Sequence, residues 1–488
     1  MTPAPRQGSM LTSLGILSAG QVASQLLNMA ALVYLADRLG AHWFGVVQVG
    51  VAVMSYALIV AEWGMMNLGI REVARLDQPP AIRRYVREHT GMMALQAVAV
   101  MAVGLLVLPR LPFYANAPLV YVLYLAAVFP QVYMQTWAAV GLEWMTLVGT
   151  SRVVRSLVYA ALVLGVLRFL GPAGDGRSAI WVPAMFLAAM GIGNLVVNIP
   201  LARRFGGFLH PGRPSAIEAR RRWRETASIG ANNLVLRVIL NIDIVVLGLL
   251  ATPEAVGNYA AAARLVFLLV VAVEVLWAAL LPRLSRLART SRDDFLATFN
   301  LYLGLVAAVL APFALGGALV GDDLVALLYR GGFPDAGPVF ARLAVAYAFL
   351  ALAMFLGNTL LAEDRQSRYM TPLTIASAVA VAGVTLLMPG GGVAGAALGM
   401  LIAHALLLAM LVVVSLHNFR RPLLTLAAGL VPALAALALA VHLLDGQPVL
   451  LRIAAGAAAY AAPAAWPVLR FQRRLRRRPV VDPPASSP

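Results

Sequence analysis

Apolar runs of membrane-spanning length recur along the whole chain. A helix needs about 20 apolar residues to cross hydrocarbon. Uncharged stretches of that order lie at 7–36, 39–61, 89–109, 111–142, 178–202, 295–321, 343–362, 369–419 and 422–444. The run 369–419 is long enough for two spans and is divided by Pro389-Gly390-Gly391-Gly392, a turn sequence. Apolar stretches that are shorter or interrupted by charge lie at 153–170, 226–250, 256–282 and 453–469. The pattern predicts an all-α polytopic membrane protein of about 14 helices. The first run is too long for a signal-peptide core and is read as a retained first span.

Polar positions inside these runs fall at helical spacing. Ser18, Gln21, Gln25 and Asn28 share one face of the first span. Gln48, Ser55 and Glu62 repeat every seven residues in the second, and Tyr121, Tyr124, Gln131 and Gln135 form a stripe in the fourth. Asn233, Arg237 and Asn241 recur every four in the seventh. Each amide has two readings: a helix–helix hydrogen bond worth about 1 kcal/mol or less, or the wall of a polar cavity. Stripes in both halves of the chain favour the cavity, with Gln21, Gln25, Asn28, Gln131, Gln135, Asn233 and Asn241 facing sugar hydroxyls.

Charges within spans are more informative, since a charge in hydrocarbon persists where it is paired or faces a cavity. Arg237 and Asp243 lie in the seventh span, Arg264 and Glu274 in the eighth. Two guanidiniums on adjacent helices would make a fork for an anionic headgroup, because arginine donates to two oxygens at once. The competing reading pairs each with Asp243 or Glu274. Asp243, Glu274 and Glu62 are candidates to carry a coupling ion. Glu62 has a second reading, at the inner interface beside Arg71.

The chain also repeats itself. Gly45, in the hairpin after span one, and Gly257, in the hairpin after span seven, stand 212 residues apart at matching turns. Glu143, after span four, and Glu363, after span ten, stand 220 apart. These offsets predict a six-helix lobe over 1–205 and a second over 206–420, around a central cavity. A basic linker at 203–224 would join them. Two more helices follow in 421–470, then a basic tail at 471–488. Six plus six helices is a transporter layout, with substrate near the midplane.

Composition narrows the class. Of 488 residues, 61% are hydrophobic and 12% charged, against nearer half and a quarter in soluble domains, which excludes an ordinary soluble enzyme. The lack of cysteine excludes disulfides, thiolate metal sites and a cysteine nucleophile. The net charge of +17 would suit nucleic acid, but its distribution argues for a membrane instead. With the N-terminus inside, 29 of the 38 basic residues, all arginine, fall in inner segments and 7 in outer ones. That is a positive-inside signal with both termini cytoplasmic. No ATP-binding loop, HExxH or GxSxG occurs, and the six histidines have no metal-ligand spacing. No cofactor, no metal and no catalytic residue are expected.

Several segments resemble the bacterial oligosaccharide flippases of the multidrug/oligosaccharidyl-lipid/polysaccharide exporter superfamily. These are Leu35–Gly45, Glu62-Trp63-Gly64, Gly69–Ala74, Asp243–Leu265, Leu328–Phe333 and Gly357–Arg368. The resemblance covers about 1–420. It implies two lobes around a cationic cavity in the bacterial inner membrane. It also implies flipping of a polyprenyl-pyrophosphate-linked oligosaccharide to the outer leaflet, for cell-surface polysaccharide such as lipopolysaccharide. Arg237 and Arg264 match the family's pyrophosphate-binding arginines, a proton or sodium ion would drive transport, and polysaccharide polymerase and chain-length machinery would be partners. A lipid II flippase would favour arginines in the first lobe, where the sequence places none mid-span. A drug/cation antiporter would favour an acidic cavity. A membrane polysaccharide polymerase or ligase would need a large outer loop, and the longest outer segment expected here is about 319–340.

Overall fold

The computed structural model describes residues 7–170, 174–205, 211–213, 215–419 and 421–476. Among the described residues there is no β-strand, as expected where lipid leaves the backbone to satisfy its own hydrogen bonds. Eleven helices are long and apolar enough to cross a membrane, and Ala428–Leu443 is a shorter apolar helix.

Two of the eleven are pairs of helices joined at glycine. Gln7–Glu62 turns at Gly40 (φ 69°, ψ 172°), giving α1 (7–39) and α2 (41–62). Gln366–Ser415 turns at Gly392 (φ 57°, ψ −149°), giving α11 (366–391) and α12 (393–415). Positive φ favours glycine because it has no Cβ. The remaining segments are α3 (Pro79–Val107), α4 (Pro118–Gly141), α5 (Met145–Ala161), α6 (Gly176–Phe205), α7 (Ala216–Leu250), α8 (Pro253–Thr290), α9 (Arg292–Tyr329), α10 (Ala336–Ala362), α13 (Arg421–Leu443) and α14 (Val449–Arg476). Counted this way, and leaving aside the nine-residue helix Met65–Val73, the described residues form fourteen segments. The run 111–142 is not one straight helix: α4 is broken after Ala126 and again around Met134 and Gln135. The expected outer segment 319–340 shrinks to a turn after Tyr329, because α9 continues through Asp322 and Asp323.

By packing, the chain divides into two compact units, Met1–Ala261 with Leu328–Pro334, and Ala262–Leu327 with Asp335–Pro488. In the first unit α1 and α2 touch α3, α4, α5, α6 and α7. A buried cluster around Trp137, with Val73, Ile82, Val86, Val148, Val197 and Leu201, joins α3 through α6 at one end.

The glycines that carried the repeat meet in this unit. A Cβ on Gly45 would lie 1.9 Å from the Pro253 carbonyl oxygen, and one on Gly257 would lie 1.9 Å from that of Ala41. Each glycine thus rests on the carbonyl four residues before the other. Beside the crossing, His42 Nδ1 lies 2.5 Å from Glu254 Oε1, and these two positions are also 212 apart. The second repeat pair is a shared backbone turn, one residue from the expected match. Trp144 N–H donates to the Ala139 carbonyl and Arg365 N–H to that of Leu360, both at 2.8 Å. The left-handed residues in these turns are Glu143 (φ 60°) and Asp364 (φ 58°). The backbone therefore aligns Glu143 with Asp364, not Glu363.

In the second unit α10 packs on the α11–α12 pair and α13 on α14. Gly383 and Gly399 bring α11 and α12 within backbone contact. His404 Nδ1 lies 3.1 Å from the Ala346 carbonyl, a helix–helix hydrogen bond. At one end, fully buried Asn418 bonds to Arg292, donates to Glu363 Oε2 at 3.1 Å, and accepts from Asn300 Nδ2 at 2.9 Å through its carbonyl. Asn418→Ala is expected to destabilise the purified protein by about 1–2 kcal/mol, since it takes one donor from the buried Glu363 carboxylate, which keeps Arg292 as its partner. Thermal unfolding in detergent measures this, and an unchanged midpoint would remove Asn418 from the structural account.

Candidate functional site

A cavity of about 620 Å³ lies inside the first unit, between α1, α2, α4, α5 and α6. Its polar wall combines Ser24, Gln25 and Asn28 of α1, Gln131 and Thr136 of α4, and Ser151, Arg152, Arg155, Ser156 and Tyr159 of α5. Its apolar wall holds methionines, among them Met54, Met66, Met134 and Met190, with Phe186. Unbranched thioethers let such a wall adjust to more than one outline.

The arginines are placed by where α5 starts. The left-handed turn at Glu143 ends α4, and α5 begins at Met145. At 1.5 Å per residue, Arg152 stands about 10 Å and Arg155 about 15 Å along the helix. Spacing of three and seven puts Arg152, Arg155 and Tyr159 on one face. Arg155 Nη1 donates to Met134 Sδ at 3.8 Å, a weak acceptor. Arg152 is near enough to repel it electrostatically. Ser151 Oγ donates to the Gly193 carbonyl at 2.9 Å, which fixes α5 against α6. Two like charges face a space lined by no carboxylate among the described residues. An anion between them would relieve the repulsion and accept paired N–H donors.

The sequence pattern places no mid-span arginine in the first half, whereas Arg152 and Arg155 belong to the helical segment Met145–Phe169, which is long and apolar enough to cross a membrane.

The other expected site residues divide. Gln25, Asn28 and Gln131 line the cavity, while the side chain of Gln21 is outside the described residues. Gln131 Nε2 donates to Glu62 Oε1 at 2.7 Å, so Glu62 is held at the cavity's edge. Gln135 is buried beside it, its N–H donating to Asn198 Oδ1 at 3.4 Å, and does not line it. Asn233, Arg237 and Asn241 lie on α7 outside this lining. The Arg237 carbonyl accepts from the Tyr56 hydroxyl at 3.4 Å, and its charge acts on Glu62. Asp243 is 1% exposed. It accepts from the Tyr259 hydroxyl at 2.8 Å and from the Ile244 N–H at 2.9 Å. Arg264 and Glu274 belong to the second unit; Arg264 is half-buried, and exposed Glu274 acts on Tyr369.

Residues 10–288 match the model of a family described as "Polysaccharide biosynthesis protein". The chain belongs to that family. This agrees with the resemblance carried by its short motifs. Three solved structures share the fold of this polysaccharide biosynthesis protein. The lipid II flippase MurJ, in an inward closed conformation, is 13% identical with a TM-score of 0.74, covering 94% of this chain and 99% of its own. A multidrug resistance MATE family transporter of the MOP superfamily, inward-facing, is 14% identical with a TM-score of 0.62, covering 82% and 97%. A MOP superfamily transporter from Pyrococcus furiosus, described as having a binding pocket of reverse polarity, is 13% identical with a TM-score of 0.53, covering 83% and 94%. Curated protein sequences give no match. The fold is that of a polytopic membrane transporter, as the hydrophobic pattern predicts.

Proposed function

We propose that this protein flips a polyprenyl-pyrophosphate-linked oligosaccharide from the cytoplasmic to the outer leaflet of the bacterial inner membrane, for cell-surface polysaccharide such as lipopolysaccharide. The observation that carries the reading is the Arg152–Arg155 pair on the polar wall of the first unit's cavity. The pyrophosphate would sit between the two guanidiniums. Sugar hydroxyls would bond to Gln25, Asn28, Gln131 and Ser151, and the polyprenyl chain would stay in lipid. Arg237 and Arg264 remain candidates for a second phosphate contact along the path, with Asn233 and Asn241 beside it. Alternating access of the six-helix halves 1–205 and 206–420 would carry the headgroup across, with both termini cytoplasmic. Polysaccharide polymerase and chain-length machinery would act on the delivered product.

Asp243, Glu62 and Glu274 are the proposed sites for a coupling proton or sodium ion. Asp243→Asn is expected to leave Tyr259 hydrogen-bonded but to remove the carboxylate's charge. Transfer driven by an imposed ion gradient would then fall to the rate seen without a gradient. A variant that still responds to the gradient would exclude Asp243.

The test is reconstitution in liposomes with a labelled polyprenyl-pyrophosphate oligosaccharide, scoring transfer between leaflets. Transfer by the wild type supports the reading, and its absence with several such lipids, alongside export of a small cation, would move the protein to an antiporter. One observation favours a second reading, a lipid II flippase: the arginines lie in the first half. Lipid II also carries a polyprenyl pyrophosphate, so the headgroup site would be the same. Competition between the two lipids in one assay separates them.

A further inference from the structure

A second basic cavity lies away from the substrate site, where α3 begins and α6 ends. It measures about 470 Å³ and is lined by Arg83, Arg84, Arg87, Arg204 and Arg213, with Glu88 as its one carboxylate. Glu88 is already engaged: Arg84 Nε donates to it at 2.9 Å, and Arg222 lies 3.7 Å away. Among the described lining residues there are thus five guanidiniums and one engaged carboxylate, a net positive charge.

Arg83, Arg84, Arg204 and Arg213 are exposed and Arg87 half-buried, and they surround a floor made of packed backbone. The backbone crosses α3 there, with the Gly212 N–H donating to the Arg87 carbonyl at 2.7 Å. A Cβ on Gly91 would come within 1.7 Å of the Gly212 oxygen, so the two backbones are in direct contact. Behind them Arg222 is 3% exposed; it bonds to Glu218 at 2.8 Å and lies 4.7 Å from the Tyr85 ring centre. The positive end of the α3 dipole adds to the field, since the first turn of α3 contains no acidic residue.

Position indicates the ligand. The spanning segments Pro79–Arg110 and Gly176–Phe205 end at this pocket, which sets it at headgroup depth on the arginine-rich side. Pro79, Pro80 and Phe205 give it apolar flanks. A site that joins phosphate-binding guanidiniums to an apolar flank at that depth fits a lipid headgroup better than a soluble anion. We propose that this pocket seats the phosphate of an anionic phospholipid and so fastens Gly212 and Arg213 to α3.

The test is native mass spectrometry of the full chain released from nanodiscs of phosphatidylglycerol or phosphatidylcholine. The wild type should retain phosphatidylglycerol in preference to phosphatidylcholine, and millimolar inorganic phosphate should not displace it. Arg83→Gln with Arg213→Gln should lower phosphatidylglycerol retention about tenfold, the loss expected for partly exposed charge-assisted contacts. The matching pair of lysine substitutions should recover part of it. Should the glutamine variant not fold, the wild-type melting temperature still decides: phosphatidylglycerol must raise it above the phosphatidylcholine value. Equal retention of both lipids, full retention by a folded glutamine variant, or no melting shift would overturn the proposal. Displacement by inorganic phosphate would overturn it too, reassigning the pocket to a free anion.

Discussion

Changing Arg152 and Arg155 together to glutamine is expected to slow transfer of a polyprenyl-pyrophosphate oligosaccharide at least about 100-fold. Hydrogen bonds to charged groups contribute about 1.5–3 kcal/mol each, so losing both guanidiniums removes about 3 kcal/mol or more from headgroup binding. Single changes should have intermediate effects. Lysine at either position keeps the charge but loses the two-pronged donor geometry, and should recover only part of the rate. The measurement is the initial rate in liposomes across substrate concentrations. Both arginines line an open cavity, so the double variant should melt near the wild-type temperature. Wild-type transfer by a correctly inserted double variant would remove this cavity from the transport path.

The second large effect concerns the crossing of α2 and α8. Gly45→Ala places a methyl carbon 1.9 Å from the Pro253 oxygen, and Gly257→Ala does the same at the Ala41 oxygen. The obstacle is backbone on both sides, so the helices must separate. Overpacking of this kind costs about 1–3 kcal/mol and sometimes more, and leucine should cost more than alanine. The expected signature is non-additivity. The displacement that admits one methyl also makes room for the other, so the double variant should lose about as much stability as either single one. Thermal unfolding of the three variants tests this, and additive losses would show that each glycine meets its own independent obstacle.

The spans were legible because a 20-residue apolar run has few other ways to exist. The turn at Pro389–Gly392 was legible because its residues are turn formers, and the structure places the break at Gly392. The arginines of the cavity were not. Arg152 and Arg155 interrupt an apolar stretch, and an interrupting charge reads as a helix end. Only the start of α5 corrects that, and it is set by left-handed Glu143, a residue type that does not advertise such a turn. The breaks in α4 were hidden for a related reason: residues 111–142 are uncharged throughout, and hydropathy is blind to backbone direction. Gln25, Asn28 and Gln131 were found because amides at helical spacing mark an inward face. Gln135 shared that pattern but came to lie behind the wall, where the break at Met134 and Gln135 turns the stripe.

The glycine crossing also has a local symmetry. A contact in which each position meets its own counterpart is what two identical subunits form around a dyad, an isologous interface. In such a homodimer the position of His42 would face itself or a like copy, so neither partner could be tuned alone. Here both sides lie in one chain, and His42 faces Glu254 at 2.5 Å. Two sides of one chain can carry different residues, so this acid–base pair is a combination that identical subunits could not place at one position on their dyad.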